Sequence, residues 1–341
     1  MLELRVGKNG DYTTVMEALQ AVPYRESAHI FIEEGIYREK LFFEKKDICL
    51  EGEGEGRTVI TWGDGAYELL PDGEKRGTFR TYTVFAGGEN VSLRSLTIEN
   101  TAGPGERAGQ AIALYADAKV LRAFNVTLRA HQDTLFMSPL PEKEREKRGF
   151  FGPRCFLPRT GTRQYYRDCT IEGDIDFIFG GADAFFDGCR IIINGSPAYV
   201  AAPCEGKGKL GLVFRDCAVT CRDGLHKSGI YLGRPWRPEA KAVYINCRLD
   251  QGLSRKGFSG WESEEAGDPG TFFAEYGSLC PDGSGADISG RNDWVRILTD
   301  EEAEELLRKV DITFEDLMER CGKEEANADR NKGTRYGCGK L

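Results

Sequence analysis

Tyr166-Arg167-Asp168-Cys169 returns as Phe186-Asp187-Gly188-Cys189, then as Phe214-Arg215-Asp216-Cys217 and as Tyr244-Ile245-Asn246-Cys247, each with an aromatic residue three places before a cysteine. Working outward, Leu93-Arg94-Ser95-Leu96 and Ala123-Phe124-Asn125-Val126 are looser copies. Successive copies lie roughly 20 to 30 residues apart, the period of a stacked solenoid. Among them run short apolar stretches closed by Gly, Asn or Asp, such as His29-Ile30-Phe31-Ile32, Ile48-Cys49-Leu50-Glu51-Gly52 and Val91-Ser92-Leu93-Arg94-Ser95-Leu96-Thr97-Ile98. They are too short for helices and too regularly spaced for a doubly wound sheet, whose strands alternate with helical segments. The chain from about Ile30 to Asp250 therefore reads as all-β, a parallel β-helix whose coils stack on one another. Cysteines at matching points would form an internal ladder of small apolar side chains. A metal or redox cluster is the alternative reading of the same ladder.

Both flanks differ from this pattern. Asp11 to Leu19 reads as a short helix, with Thr14 and Glu17 at capping-box spacing and Val15, Ala18, Leu19 and Val22 on one face. It would cover the open end of the solenoid, where an exposed strand edge invites aggregation. After Trp294 the text turns helical again, over Asp300–Leu307 and then Phe314–Met318, as amphipathic helices laid against the coils. Residues 1–322 read as one domain, and 323–341 as a polar tail with the composition of a disordered segment.

The totals limit the function. The chain has 341 residues, 40% hydrophobic and 30% charged, with a formal net charge of −9. That balance argues against a nucleic-acid surface, which needs a basic stripe, and sits awkwardly with a polyanionic ligand. No apolar run approaches the length of about eighteen residues that a membrane helix needs. Met1 to Gly7 lacks a charged-then-apolar leader. The expectation is a cytoplasmic protein as written, or a secreted one if a leader has been trimmed. Eleven cysteines, without a C-x-x-C pair, suit reduced and mostly buried thiols. Nothing points to an oligomer, so a monomer is expected.

Three histidines, no G-x-S-x-G and no metal-ligand spacing make a serine hydrolase or a metal site a poor fit, and no cofactor is expected. Carboxylate chemistry is left. Asp133 lies beside Gln132, and Asp176 lies in Gly173-Asp174-Ile175-Asp176-Phe177-Ile178-Phe179-Gly180, boxed by apolar neighbours. A carboxylate there must be paired or hydrogen-bonded to stay charged. Each could equally cap a turn.

Five segments together carry more. Gly35-Ile36-Tyr37-Arg38-Glu39, Gly109-Gln110-Ala111-Ile112-Ala113-Leu114, Gln132-Asp133-Thr134-Leu135, Asp176-Phe177-Ile178-Phe179-Gly180 and Leu232-Gly233-Arg234-Pro235-Trp236 occur in that order. In this they resemble the pectinesterases (pectin methylesterases), as do Gly10-Asp11-Tyr12-Thr13-Thr14-Val15 and Asn100-Thr101-Ala102-Gly103. The resemblance implies a right-handed parallel β-helix that removes the C6 methyl ester of galacturonate units in homogalacturonan or its oligomers, without a metal. It assigns Asp176 as the nucleophile, and Gln110 and Gln132 as amide donors to the tetrahedral oxyanion. Asp133 is then the acid that protonates departing methanol and the base that activates water. Arg234 pairs with the nucleophile, Trp236 is a sugar platform, Phe177 and Phe179 line the cleft, and Tyr37 joins them in contacting substrate. Such a division of labour needs two carboxylates whose environments push their proton affinities apart.

Two features depart from the family. Ser138 to Phe151 carries a long charged run where family members pass in far fewer residues. Its place after Asp133 sets it at the rim of the cleft, where it would limit access or shape the subsites in favour of short or unusual galacturonides. Asp174 stands where a threonine is common. Two residues before Asp176 on a strand it would face the same side and raise the proton affinity of that carboxylate. Competing readings are a pectate lyase or polygalacturonase on the same fold, and an inactive carbohydrate-binding solenoid. Paired glutamines beside the aspartates fit neither a lyase nor a polygalacturonase.

Overall fold

The computed structural model describes residues 1–263 and 270–335, those from 321 on by backbone alone. Every strand-to-strand ladder between the named strands is parallel, and each strand away from the sheet ends pairs with its counterparts in the neighbouring coils. Among the described residues the strands form one sheet of sixteen and one of eight. The larger sheet forks after Val84–Arg94: one branch carries Leu114–Ala116, Leu135–Met137, Ile175–Gly180, Ala198–Pro203 and Ile230–Gly233, the other Val120–Phe124 through Arg296–Ile297. Two branches and the smaller sheet give the solenoid three faces. The fork has a backbone cause. Leu41–Glu51 and Val84–Arg94 are long strands that serve both branches at once, and Gly88 lies midway along the second, at φ +113°. A Cβ there would sit 1.8 Å from the Lys45 carbonyl oxygen, so only glycine fits. The fold is a right-handed parallel β-helix.

The repeated tetrapeptide has a conformational explanation. Its third residue is left-handed in each copy: Asp168, Asp216 and Asn246 have φ of 52°, 54° and 52°, and Gly188 has 62°. Ser95 and Asn125 in the looser copies adopt the same turn, at 48° and 52°. Gly, Asn and Asp tolerate this region best, which is why they punctuate the sequence. The turn aims the next residue inward. Cys169, Cys189, Cys217 and Cys247 are accordingly fully buried. Each thiol donates to a carbonyl one coil earlier, at 3.4 to 3.5 Å, namely Ala123, Tyr166, Phe186 and Phe214. The nine described cysteines are all free thiols.

Beside that ladder the aromatic positions stack. Tyr166, Phe186, Phe214 and Tyr244 follow one another at 4.8, 4.6 and 4.4 Å with rings within 10° of parallel, matching the inter-strand spacing of about 4.8 Å. Their hydroxyls, where present, are satisfied: Tyr166 donates to Gln164 Oε1 and Tyr244 to the Leu232 carbonyl, both at 2.7 Å.

Helix α1 (Val15–Ala21) covers the first coil. Thr14 and Glu17 form the expected capping box, and Val15, Ala18 and Leu19 are buried. Glu39 adds acceptors for the first-turn N–H groups of Val15 and Met16, both at 2.9 Å. A four-residue helix, α2 (Gly105–Ala108), follows the strand Thr97–Asn100. The two expected C-terminal helical segments prove to be one, α3 (Asp300–Arg335). Ala303, Val310, Phe314 and Leu317 of α3 pack on Tyr165, Phe185, Val213, Val243 and Ile245, which point outward from the second branch. No breaker interrupts the sequence between the two segments, and the apolar stripe continues across them. The sequence-based tail from 323 begins inside this helix, and residues 336–341 lie outside the described residues.

Candidate active site

The chemistry-bearing residues gather on the outward face of the first branch, where three consecutive coils run side by side. The Ala111 N–H donates to the Gln132 carbonyl, and the Asp133 N–H to the Ile175 carbonyl, each at 3.0 Å. Gln110, Gln132, Asp133 and Asp176 are thereby brought onto one short stretch of surface. Asp133 and Asp176 are themselves left-handed, at φ 66° and 52°.

That turn also settles the neighbours. With Asp176 left-handed, the ladder to the next coil shifts register between Ile175 and Ile178. Phe177 and Ile178 both point into the interior, where each is fully buried. The expectation that Phe177 lines the cleft is therefore corrected: the irregularity sets Phe177 and Phe179 on opposite faces, where strict alternation would have put both rings on one. Phe179 does face outward, 4.9 Å from Phe136 and 5.7 Å from Trp236. Tyr37 is not brought to this surface. It lies on Gly35–Arg38 in the smaller sheet, with its hydroxyl donating to the Glu33 carbonyl at 3.0 Å.

Arg234 grips Asp176 with two parallel bonds, Nε to Oδ1 at 2.8 Å and an Nη2 to Oδ2 at 2.7 Å. Its guanidinium also lies over Tyr199 at 3.9 Å and Trp261 at 4.3 Å. Neither aromatic was singled out in the sequence. Trp261 carried a signal nonetheless, as one of four tryptophans and the one that ends Phe258-Ser259-Gly260-Trp261.

The two aspartates differ in their electrostatics. Burial raises the Asp176 carboxyl, and the charge and hydrogen bonds of Arg234 pull it back. Burial, and then the charge of Asp176, push Asp133 well above the usual carboxylate range, with Arg234 opposing. Among the described residues the Asp133 carboxyl has no hydrogen-bond partner. Both residues are 7% exposed, so each is reachable from one side only. The amides of Gln110 and Gln132 are half-buried and make no hydrogen bond among the described residues, which leaves their donors available. Asp174 is also buried. It accepts the Ile175 N–H at 2.6 Å and pairs with His131 Nδ1 at 3.2 Å, and its charge contributes to raising both Asp133 and Asp176.

An aromatic wall runs beside this row through Phe79, Phe85, Tyr115, Phe136 and Phe179. The inserted segment lies along it: Leu140 and Phe150 pack into the wall, and the Phe150 ring meets the Trp236 ring at 6.1 Å. One side of the insertion reaches Glu74 through Arg148 at 3.6 Å, the other reaches Glu262 through Arg145 at 3.1 Å. The expected rim position is where it sits.

Elsewhere, His29, Cys49 and Glu51 bring their ligand atoms within 4.8 Å of one another and could hold a metal ion. They stand on the first coils, and His29 Nε2 already pairs with Glu51 at 2.8 Å.

A sequence model of the pectinesterase family matches residues 5–145 and 156–312, interrupted within the insertion. Among curated relatives, a pectinesterase of Petunia integrifolia is 29% identical over 300 residues, covering 84% of this chain and 71% of its own. A probable pectinesterase/pectinesterase inhibitor of Arabidopsis thaliana is 29% identical over 296 residues, and the match covers 84% of this chain but 51% of that one. The chain thus spans about half the length of several relatives it matches. Among solved structures, pectin methylesterases from carrot and from Aspergillus niger superpose with TM-scores of 0.70 and 0.71, each at 26% identity and over 87% of this chain, and over 88% and 90% of theirs.

Proposed function

The chain belongs to the pectinesterase family, and from that premise we propose that it hydrolyses the C6 methyl ester of galacturonate units in pectin or oligogalacturonides, releasing methanol. The observation that carries the reading is the asymmetry of the aspartate pair: Asp176 is held by Arg234, while Asp133 beside it has no such partner and the higher proton affinity. Asp176 attacks the ester carbonyl, and its ion pair with Arg234 favours the charged, nucleophilic form. Negative charge then develops on the carbonyl oxygen. Gln110 and Gln132 offer neutral N–H donors to it; removing one donor of this kind typically costs about 3 kcal/mol of barrier lowering. Collapse of the tetrahedral species breaks the bond to the methoxy group, and Asp133 supplies the proton that lets it leave as methanol. The acyl-enzyme is left as an anhydride with Asp176. Asp133, now ionised, takes a proton from water, which attacks the acyl carbon, regenerates Asp176 and frees the galacturonate.

Activity requires Asp176 ionised and Asp133 protonated together, so the pH–rate profile is bell-shaped. The test is methanol release from methyl-esterified galacturonan with EDTA present, for wild type and Asp176→Asn. The expected result is chelator-resistant release that falls by about three orders of magnitude or more in the variant. Release unaffected by the substitution would remove Asp176 as nucleophile. No release by wild type on polymer or oligomers would leave a carbohydrate-binding solenoid as the better reading.

A further inference from the structure

Resting on that reading of the site, we propose that Arg145 and Arg237 form an anion-binding subsite that takes the free carboxylate of an unesterified galacturonate unit neighbouring the ester under attack.

Arg237 follows Trp236 directly, and its guanidinium lies 4.8 Å from the Trp236 ring centroid. It is half-buried, and its hydrogen bonds go to two backbone carbonyls, Trp236 at 2.7 Å and Lys143 at 3.0 Å. Among the described residues it has no carboxylate partner. Arg145 comes from the insertion and donates to the same Trp236 carbonyl at 2.9 Å. Among the described residues its one carboxylate partner, Glu262 at 3.1 Å, has a side chain 81% exposed, and so solvent-screened a pair contributes little. Burial, and then the charge of Arg145, lower the proton affinity of Arg237. Two guanidiniums drawn onto one carbonyl oxygen, one of them half-buried without an acid, is an arrangement that an incoming anion relieves.

Position then selects the anion. The Arg145 guanidinium lies 4.6 Å from the Trp261 ring, and Arg234, the partner of Asp176, lies 4.3 Å from the same ring. The rim pair is therefore one indole away from the ion pair that holds the nucleophile, and Trp236 touches Phe179 of the cleft wall. A galacturonan held with one unit at Asp176 extends neighbouring units past this point, and each carries at C6 either a neutral ester or a carboxylate. The planar guanidinium fork matches a carboxylate in a bidentate way and gains nothing comparable from a methyl ester. Half of the subsite, Arg237, adjoins the Arg234-Pro235-Trp236 segment shared with the family. The other half, Arg145, is the last residue before the family pattern breaks off.

The experiment compares kcat/KM for methanol release from a fully methyl-esterified and a half-esterified hexagalacturonide, using the full chain and the variants Arg145→Ala, Arg237→Ala, the double variant and Arg237→Lys. Binding of unesterified trigalacturonate is followed separately by calorimetry. The expected result is that the preference for the half-esterified substrate falls about tenfold in the double variant, through KM rather than kcat, with partial retention in Arg237→Lys. Trigalacturonate affinity falls in parallel. Glu262→Gln, which frees Arg145 without a change of bulk, tightens trigalacturonate binding. An unchanged substrate ratio and unchanged trigalacturonate affinity, in a double variant that still releases methanol, overturns the subsite and leaves the esterase reading standing. Loss of trigalacturonate binding in the double variant, with no methanol released by wild type, upholds the anion site and sinks the esterase reading instead.

Discussion

Asp133 and Asp176 occupy left-handed backbone next to one another, and the turn has a use. At Asp176 it sends the carboxylate outward to Arg234 while Phe177 and Ile178 both turn inward. Each carboxyl is thus set on a wall of buried side chains, which raises the proton affinity of both. Asp174 adds to this through its charge, and it is held close by the Ile175 N–H and by His131. The sign of its removal follows directly. Asp174→Thr takes away a negative charge, so ionisation of Asp176 becomes easier and its pKa falls; the same holds for Asp133. If activity needs Asp176 charged and Asp133 protonated, the acid and basic limbs of the pH–rate profile both move to lower pH. A profile of kcat/KM against pH for wild type and variant checks this, and limbs that stay put would remove Asp174 from the electrostatics of the site.

Among the elements, the segment Gly35 to Glu39 has a role other than the one its resemblance suggested for Tyr37. Tyr37 bonds to Glu33, while Glu39 accepts the first-turn N–H groups of Val15 and Met16 at the positive end of α1. The motif seats the lid of the solenoid. Glu39→Ala should therefore lower stability by about 1 to 2 kcal/mol in urea unfolding, with kcat/KM for methanol release close to wild type. A large loss of kcat/KM at undiminished stability would return the segment to the cleft. The coils themselves were legible because their signal is local: a left-handed Asp, Asn, Gly or Ser before an inward residue recurs at one corner of successive coils, as at Asp168, Gly188, Asp216 and Asn246. Asp133, Asp176 and Arg234 became legible through the resemblance, and the structure brings Arg234 onto Asp176. Phe177 was misread because it was paired with Phe179, and a one-residue irregularity between them sends the two rings to opposite faces. Arg145 was not legible, since it acquires its meaning from Trp236 and Glu262 on other loops across the cleft rim, and Trp261, though it stood out as one of four tryptophans, gave no sign of its contact with Arg234. The continuity of α3 was there to be read, since no breaker separates its two segments, but what it packs against was not. Its outward-packing partners, Tyr165, Phe185 and Val213, lie on strands whose own pattern gives no sign of a helix above them.

At the scale of the whole molecule, the proposed function sets a net charge of −9 against a substrate that gains one negative charge with every ester cleaved. Two fields oppose each other there. The long-range one is repulsive and comes from the acidic surface as a whole. The short-range one is attractive and comes from Arg145 and Arg237, which engage a carboxylate only on contact. Salt separates them, because screening acts on distant exposed charges far more than on a contact pair. Raising the ionic strength from about 10 mM to about 100 mM shortens the Debye length from about 30 Å to about 10 Å, so repulsion of an approaching polyanion largely disappears. The kcat/KM for half-esterified galacturonan should accordingly rise over that range, while that for a fully esterified, neutral polymer stays nearly flat. Stopped-time methanol assays at constant pH and varied sodium chloride measure both. A fall with salt for the charged substrate would mean that the arginine rim, rather than the acidic body, governs the approach, and that the local field extends well beyond contact.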